Sequence, residues 1–80
     1  MKAQYIIRIT IPHTDPVGTI IKYARLVTPT KWKTTIYKKE AYEYYDVACA
    51  HGAKDRLTSW IAADYPALKV KLEILRRLRV

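Results

Sequence analysis

Tyr42-Glu43-Tyr44-Tyr45-Asp46-Val47-Ala48-Cys49-Ala50 is the stretch whose reading decides the fold. Three tyrosines fall within four residues. Aromatic and β-branched side chains suit a pleated, half-buried surface, so the stretch predicts a strand over residues 42–50. Strand alternation then places Tyr45, Val47 and Cys49 on a core face, and Tyr42, Tyr44, Asp46 and Ala48 on the opposite face.

Working outward, His51-Gly52 ends this strand. Residues 53–64 read as a helix, with Ala53, Leu57, Trp60 and Ile61 on one apolar stripe. Tyr65-Pro66 stops it, because the residue before proline is steered away from the helical region. Residues 69–80 close the chain as a strand in which Val70, Leu72 and Ile74 alternate with Lys69, Lys71 and Glu73. Upstream, residues 31–38 alternate as another strand, with Trp32, Thr34 and Ile36 on one face. The polar link Lys38-Lys39-Glu40-Ala41 suggests a four-residue hairpin loop. Near the start, Tyr5, Ile7, Ile9 and Ile11 alternate with Ile6, Arg8 and Thr10, and Pro12 ends that strand. Thr14-Asp15-Pro16 carries a capping residue and a proline suited to a first helical turn. Val17, Ile20, Ile21, Ala24 and Val27 then recur at helical spacing until Thr28-Pro29-Thr30.

The resulting order is strand, helix, strand, strand, helix, strand over a single domain, residues 1–80. It predicts an α+β, ferredoxin-like split βαββαβ fold, with a four-stranded antiparallel sheet in the order 4-1-3-2 and two helices on one face. The other face is left open. In element order, and in the tyrosines of its third strand, the chain resembles the RNA-recognition-motif family. That family's third strand carries two glycines that Tyr42-Glu43-Tyr44-Tyr45-Asp46-Val47 lacks, and two carboxylates stand here in addition. The resemblance implies base stacking by Tyr42 and Tyr44.

The chain has 80 residues, half of them apolar, and 15 Lys+Arg against 7 Asp+Glu, a formal net charge of +8. Such a field favours nucleic acid or an acidic protein surface as partner, and it also serves solubility. The single Cys49 excludes an internal disulfide and suits an intracellular, cytoplasmic setting. Arg8 interrupts the first apolar run, so no signal peptide is read, and no apolar stretch reaches membrane-spanning length.

No catalytic residue, metal site or cofactor is expected. Cys49 and His51 fall on one strand face but lack any zinc spacing, and Cys49 reads as core. The segment after the first strand is unlike the phosphate loop of the acylphosphatase family, and no phosphate-loop or dinucleotide fingerprint occurs. The residues chosen for nucleic-acid or partner binding are Arg8, Lys33, Tyr37, Tyr42, Tyr44 and Arg77. Rings stack on unpaired bases while cations neutralise phosphate. Lysines on edge strands also block edge-to-edge aggregation. The leading expectation is a small non-catalytic protein that engages nucleic acid or a nucleoprotein. An alternative is a protein–protein inhibitor of phage or mobile-element origin, of the anti-CRISPR kind, since Tyr and Arg dominate interface hot spots. A third reading is a homodimer paired through open faces or edges.

Overall fold

The computed structural model describes residues 2–12 and 18–79. Its elements are β1 (Lys2–Ile11), β2 (Ile20–Val27), β3 (Trp32–Thr35), a 3₁₀ turn (Lys38–Glu40), α1 (Val47–Asp64) and β4 (Lys71–Arg79). The fold is α+β, and its four strands form one open antiparallel sheet in the order β3-β2-β1-β4. One helix, α1, packs on one face. Neither the ferredoxin-like split nor the order 4-1-3-2 is present, and the element order that resembled the RNA-recognition motif goes with them. Of the expected topology, the pairing of the first strand with the last remains.

Two segments account for the difference. The expected first helix is β2 over residues 20–27, and the rest of that expectation, residues 13–17, lies outside the described residues. Ile20, Ile21, Tyr23 and Val27 favour a pleated surface. In register with β1, Lys22 lies opposite Ile9 and Tyr23 opposite Arg8, which leaves Ala24 fully buried under the helix. The pairing of β2 with β3 then shifts between Ala24 and Leu26, so Arg25 bulges. The bulge returns Val27 to the helix side, and it breaks the two-residue period that would have marked a strand.

The second segment is residues 42–50. Only Tyr44 pairs as a strand residue, in a single bridge with Tyr5. Asp46 ends the extended run, and its carboxylate accepts a hydrogen bond from the Ala48 N–H at 2.9 Å. It is the N-cap of an 18-residue helix, a role for which Asp is among the best residues. Tyr45, Val47 and Cys49 are therefore exposed instead of core, Tyr45 at 76%.

The core follows from these registers. Ile7 and Ile9 of β1 and Ala24 of β2 meet Ala53, Leu57 and Ile61 of α1. The buried helix positions Ala50, Ala53, Leu57 and Ile61 are spaced by three or four residues and form one stripe. Each fully buried Ile or Leu contributes about 1.5–3 kcal/mol by leaving water. Tyr65 and Pro66 end the helix as expected, the Tyr65 N–H bonding back to the Ile61 carbonyl at 2.8 Å. No helix among the described residues is long and apolar enough to cross a membrane.

Candidate functional site

The face of the sheet away from α1 is set by β1. Ile7 and Ile9 point to the helix, so Ile6, Arg8 and Thr10 point away. Their partners on β4 are Leu75, Glu73 and Lys71 in turn. Arg8 Nη2 donates to Glu73 Oε1 at 3.0 Å. That hydrogen bond, helped by the charges of Arg8 and Lys71, holds the Glu73 carboxyl below the usual carboxylate range despite the opposing pull of desolvation. Arg77 Nη1 lies 3.2 Å from Glu43 Oε1 as an ion pair. The Tyr5–Tyr44 bridge sets Glu43 beside Ile6, so this pair spans β1 where Ile6 lies. Ile6 is fully buried although no helix among the described residues covers that face. Arg25 on β2 meets Glu40 of the 3₁₀ turn at 3.5 Å. All three of these arginines thus face a glutamate.

The tyrosines are arranged differently. Tyr42 and Tyr44 occupy the seam where the far ends of β1 and β2 part. The Tyr42 N–H donates to the Ala24 carbonyl at 3.0 Å, and Tyr44 exchanges two backbone hydrogen bonds with Tyr5 at 2.8 Å. Their ring centroids are 4.7 Å apart at 58°, a tilted arrangement favourable for aromatic quadrupoles. Tyr44 packs against the core on the helix side, away from the open face to which alternation had assigned it. Burial, with Tyr42 adding to it, raises the Tyr44 phenol above its usual value. Together with Leu26, Val27 and Thr28 the two rings line a cleft of about 190 Å³.

Lys33 and Tyr37 sit on the outer rim. β3 ends at Thr35, which is buried. Its hydroxyl donates to Glu40 Oε1 at 2.9 Å and accepts from the Tyr37 N–H at 3.1 Å. This fold-back ends the strand at Thr35, three residues before the expected end at Lys38, and ejects Ile36, expected on an inward face, to 60% exposure, beside Tyr37 at 55%. Lys31, Lys33, Lys38 and Lys39 are exposed along the same rim. None of the four has an ion-pair partner among the described residues.

The six chosen residues therefore fall in three places. Arg8 and Arg77 are compensated on the open face, Tyr42 and Tyr44 fill a seam, and Lys33 and Tyr37 share an uncompensated rim. Lys31, Lys38, Lys39 and Ile36 belong with the last pair. The alternation of Trp32, Thr34 and Ile36 hid Ile36, and the three lysines read as edge protection. Trp60, expected in the core stripe, is half-buried beside Trp32 in an open groove. Cys49 and His51 lie on the exposed side of α1, two residues apart, a spacing at which helical side chains do not face each other. No family model, curated protein or solved structure matches the chain.

Proposed function

We propose that this chain is a small non-catalytic binding protein that engages the phosphate backbone of single-stranded nucleic acid, alone or within a nucleoprotein, through the rim formed by β3 and the 3₁₀ turn. The observation that carries this reading is where the uncompensated charge stands. Arg8, Arg77 and Arg25 are spent on Glu73, Glu43 and Glu40 in turn, whereas Lys31, Lys33, Lys38 and Lys39 keep their charge for a partner. An ion-paired arginine adds little to the field a phosphate meets, and an exposed unpaired lysine adds all of its charge. Tyr37 stands among these lysines with its ring half in water, as a base-stacking platform requires. The same lysines keep β3 from pairing with other strands, and the two roles are compatible.

The test is a titration of labelled single-stranded RNA and DNA at several salt concentrations. Four lysine–phosphate contacts give a slope of log K against log salt of about −3, at roughly −0.7 per contact. Replacing Lys31, Lys33, Lys38 and Lys39 by Ala should flatten that slope to near zero. Tyr37→Ala should weaken binding by about 1–3 kcal/mol and leave the slope unchanged, which separates stacking from charge. Lys54→Ala with Arg56→Ala on α1 is the control and should change little. Absence of binding at low salt, or a slope that survives the fourfold change, overturns the proposal.

A further inference from the structure

The two edges of the sheet are protected unequally. β3 has four residues, lies beside the Arg25 bulge and is followed at once by the fold-back onto Thr35. Short length, a bulge and lysines are the means by which natural sheets deter pairing. β4 has none of the first two. It runs nine residues in unbroken register with β1, from Lys71 opposite Thr10 to Arg79 opposite Lys2, and it has no proline. On its outer side no strand among the described residues pairs with it. It also carries half-buried apolar residues towards both faces, Leu72 and Ile74 on the helix side and Leu75 on the other.

From this asymmetry we infer that β4 is a pairing edge whose occupant is β4 of a second copy of this chain, antiparallel about a two-fold axis at Leu75. The occupant follows from charge complementarity within the strand itself. An axis at Leu75 places Leu75 opposite Leu75, Ile74 opposite Arg76, and Glu73 opposite Arg77, the last twice by symmetry. Glu73 already holds Arg8, and Arg77 already meets Glu43. The paired edges therefore join Arg8, Glu73, the partner's Arg77 and the partner's Glu43 into a ladder of alternating sign, present in two copies. Opposite charges directly across a pair of strands are stabilising and like charges are not. The neighbouring registers fail on this ground. An axis at Ile74 sets Lys71 against Arg77, and an axis at Arg76 sets that arginine against itself. The register at Leu75 does bring position 71 opposite position 79, both cationic, at the outermost pair. The result is an isologous dimer with an eight-stranded continuous sheet and both helices on one side.

The experiment measures molar mass by light scattering across a concentration series, for the full chain and for two charge variants. The unchanged chain should rise from one-chain to two-chain mass. Glu73→Arg and Arg77→Glu each set like charges across the axis, and each should raise the dissociation constant about tenfold or more. Mixing the two variants restores both opposite-charge contacts and should restore two-chain mass, which no loss of folding could mimic. Leu75→Cys in a Cys49→Ser background should cross-link on oxidation, and Lys33→Cys in that background should not. One-chain mass of the unchanged chain at all concentrations overturns the inference, as would occur if β4 instead received a segment of another protein. Variants that associate as well as the unchanged chain, or a mixture that stays monomeric, overturn it too.

Discussion

β3 and β4 bound the same sheet, yet one is four residues long, bulged at its neighbour and rimmed with lysines that have no ion-pair partner among the described residues, while the other runs nine residues in even register with Glu73 matched to Arg8 and Arg77 to Glu43, its Lys71 and Arg76 left exposed. The difference lies in where the chain spends its glutamates. Glu73 and Glu43 sit over β1 and β4 and neutralise arginine there. On the β3 side Glu40 meets Arg25 but none of the four rim lysines. An edge with matched charge can approach another strand, whereas an edge with unmatched charge repels strands and attracts polyanions. The two proposals rest on this contrast, a polyanion at the β3 rim and a second β4 at the other edge.

The largest expected effect comes from Ile6, which sits opposite Leu75 with no exposed surface. Ile6→Ala should cost about 2–5 kcal/mol, the usual range for truncating a fully buried isoleucine. The urea midpoint measures it. The comparison of edges is sharpened by where the loss is felt. Amide exchange should accelerate along β4 more than along β3, because Ile6 underlies the β1–β4 pairing and β3 reaches β1 only through β2. Equal acceleration at both edges would mean that the sheet opens as one unit.

The counterpart on the other edge is Thr35→Val. It removes the hydroxyl that links the Tyr37 N–H to Glu40, while nearly keeping the volume. Leaving those two groups without their partner should cost roughly 1–3 kcal/mol. The 3₁₀ turn should loosen, and rim binding of single-stranded nucleic acid should weaken because Tyr37, Lys38 and Lys39 lose their fixed placement. Association through β4 should be untouched. A Thr35→Val variant that keeps full stability and full rim binding would show that the fold-back does not organise this edge.

How far these edges were legible in the sequence differs for the same reasons. β1 and β4 declared themselves, because Ile7 and Ile9, and Leu72 and Ile74, alternate without interruption. The second half of α1 did so through Ala53, Leu57 and Ile61. β2 did not, since Ile20, Ile21, Ala24 and Val27 fit a helical stripe as well as a strand, and the Arg25 bulge hid the alternation. The tyrosines at residues 42–45 outweighed Asp46 in a local reading, although Asp46 is the residue that starts the helix. Lys33 and Tyr37 were recognisable as edge residues because they lie close together in the chain. The neutralisation of Arg8 and Arg77 was not recognisable. It requires Glu73 to lie across β1, and Glu43 to be carried to Ile6 by the single Tyr5–Tyr44 bridge, both of which depend on strand order.

The smallest effect concerns the Arg8–Glu73 pair and has a definite sign. Arg8 holds the Glu73 carboxyl lower in the folded chain than in an unfolded one, where that partner is absent. A depressed carboxyl contributes stability above its unfolded pKa and loses it as pH falls through the folded value. The contribution is therefore complete at neutral pH and disappears in acid, from the ordinary carboxylate range downward. Because both side chains are about one-third exposed, at 33% and 30%, water screens the pair and the effect stays modest. Thermal melts of the dilute, monomeric chain from neutral to strongly acid pH measure it. Glu73→Gln should lower the melting temperature slightly at neutral pH and converge with the unchanged chain in acid, where Glu73 is protonated in both states. A constant gap between the two curves at every pH would mean that Glu73 acts there through packing instead of charge. The charge ladder proposed for paired β4 edges would then lose its first link.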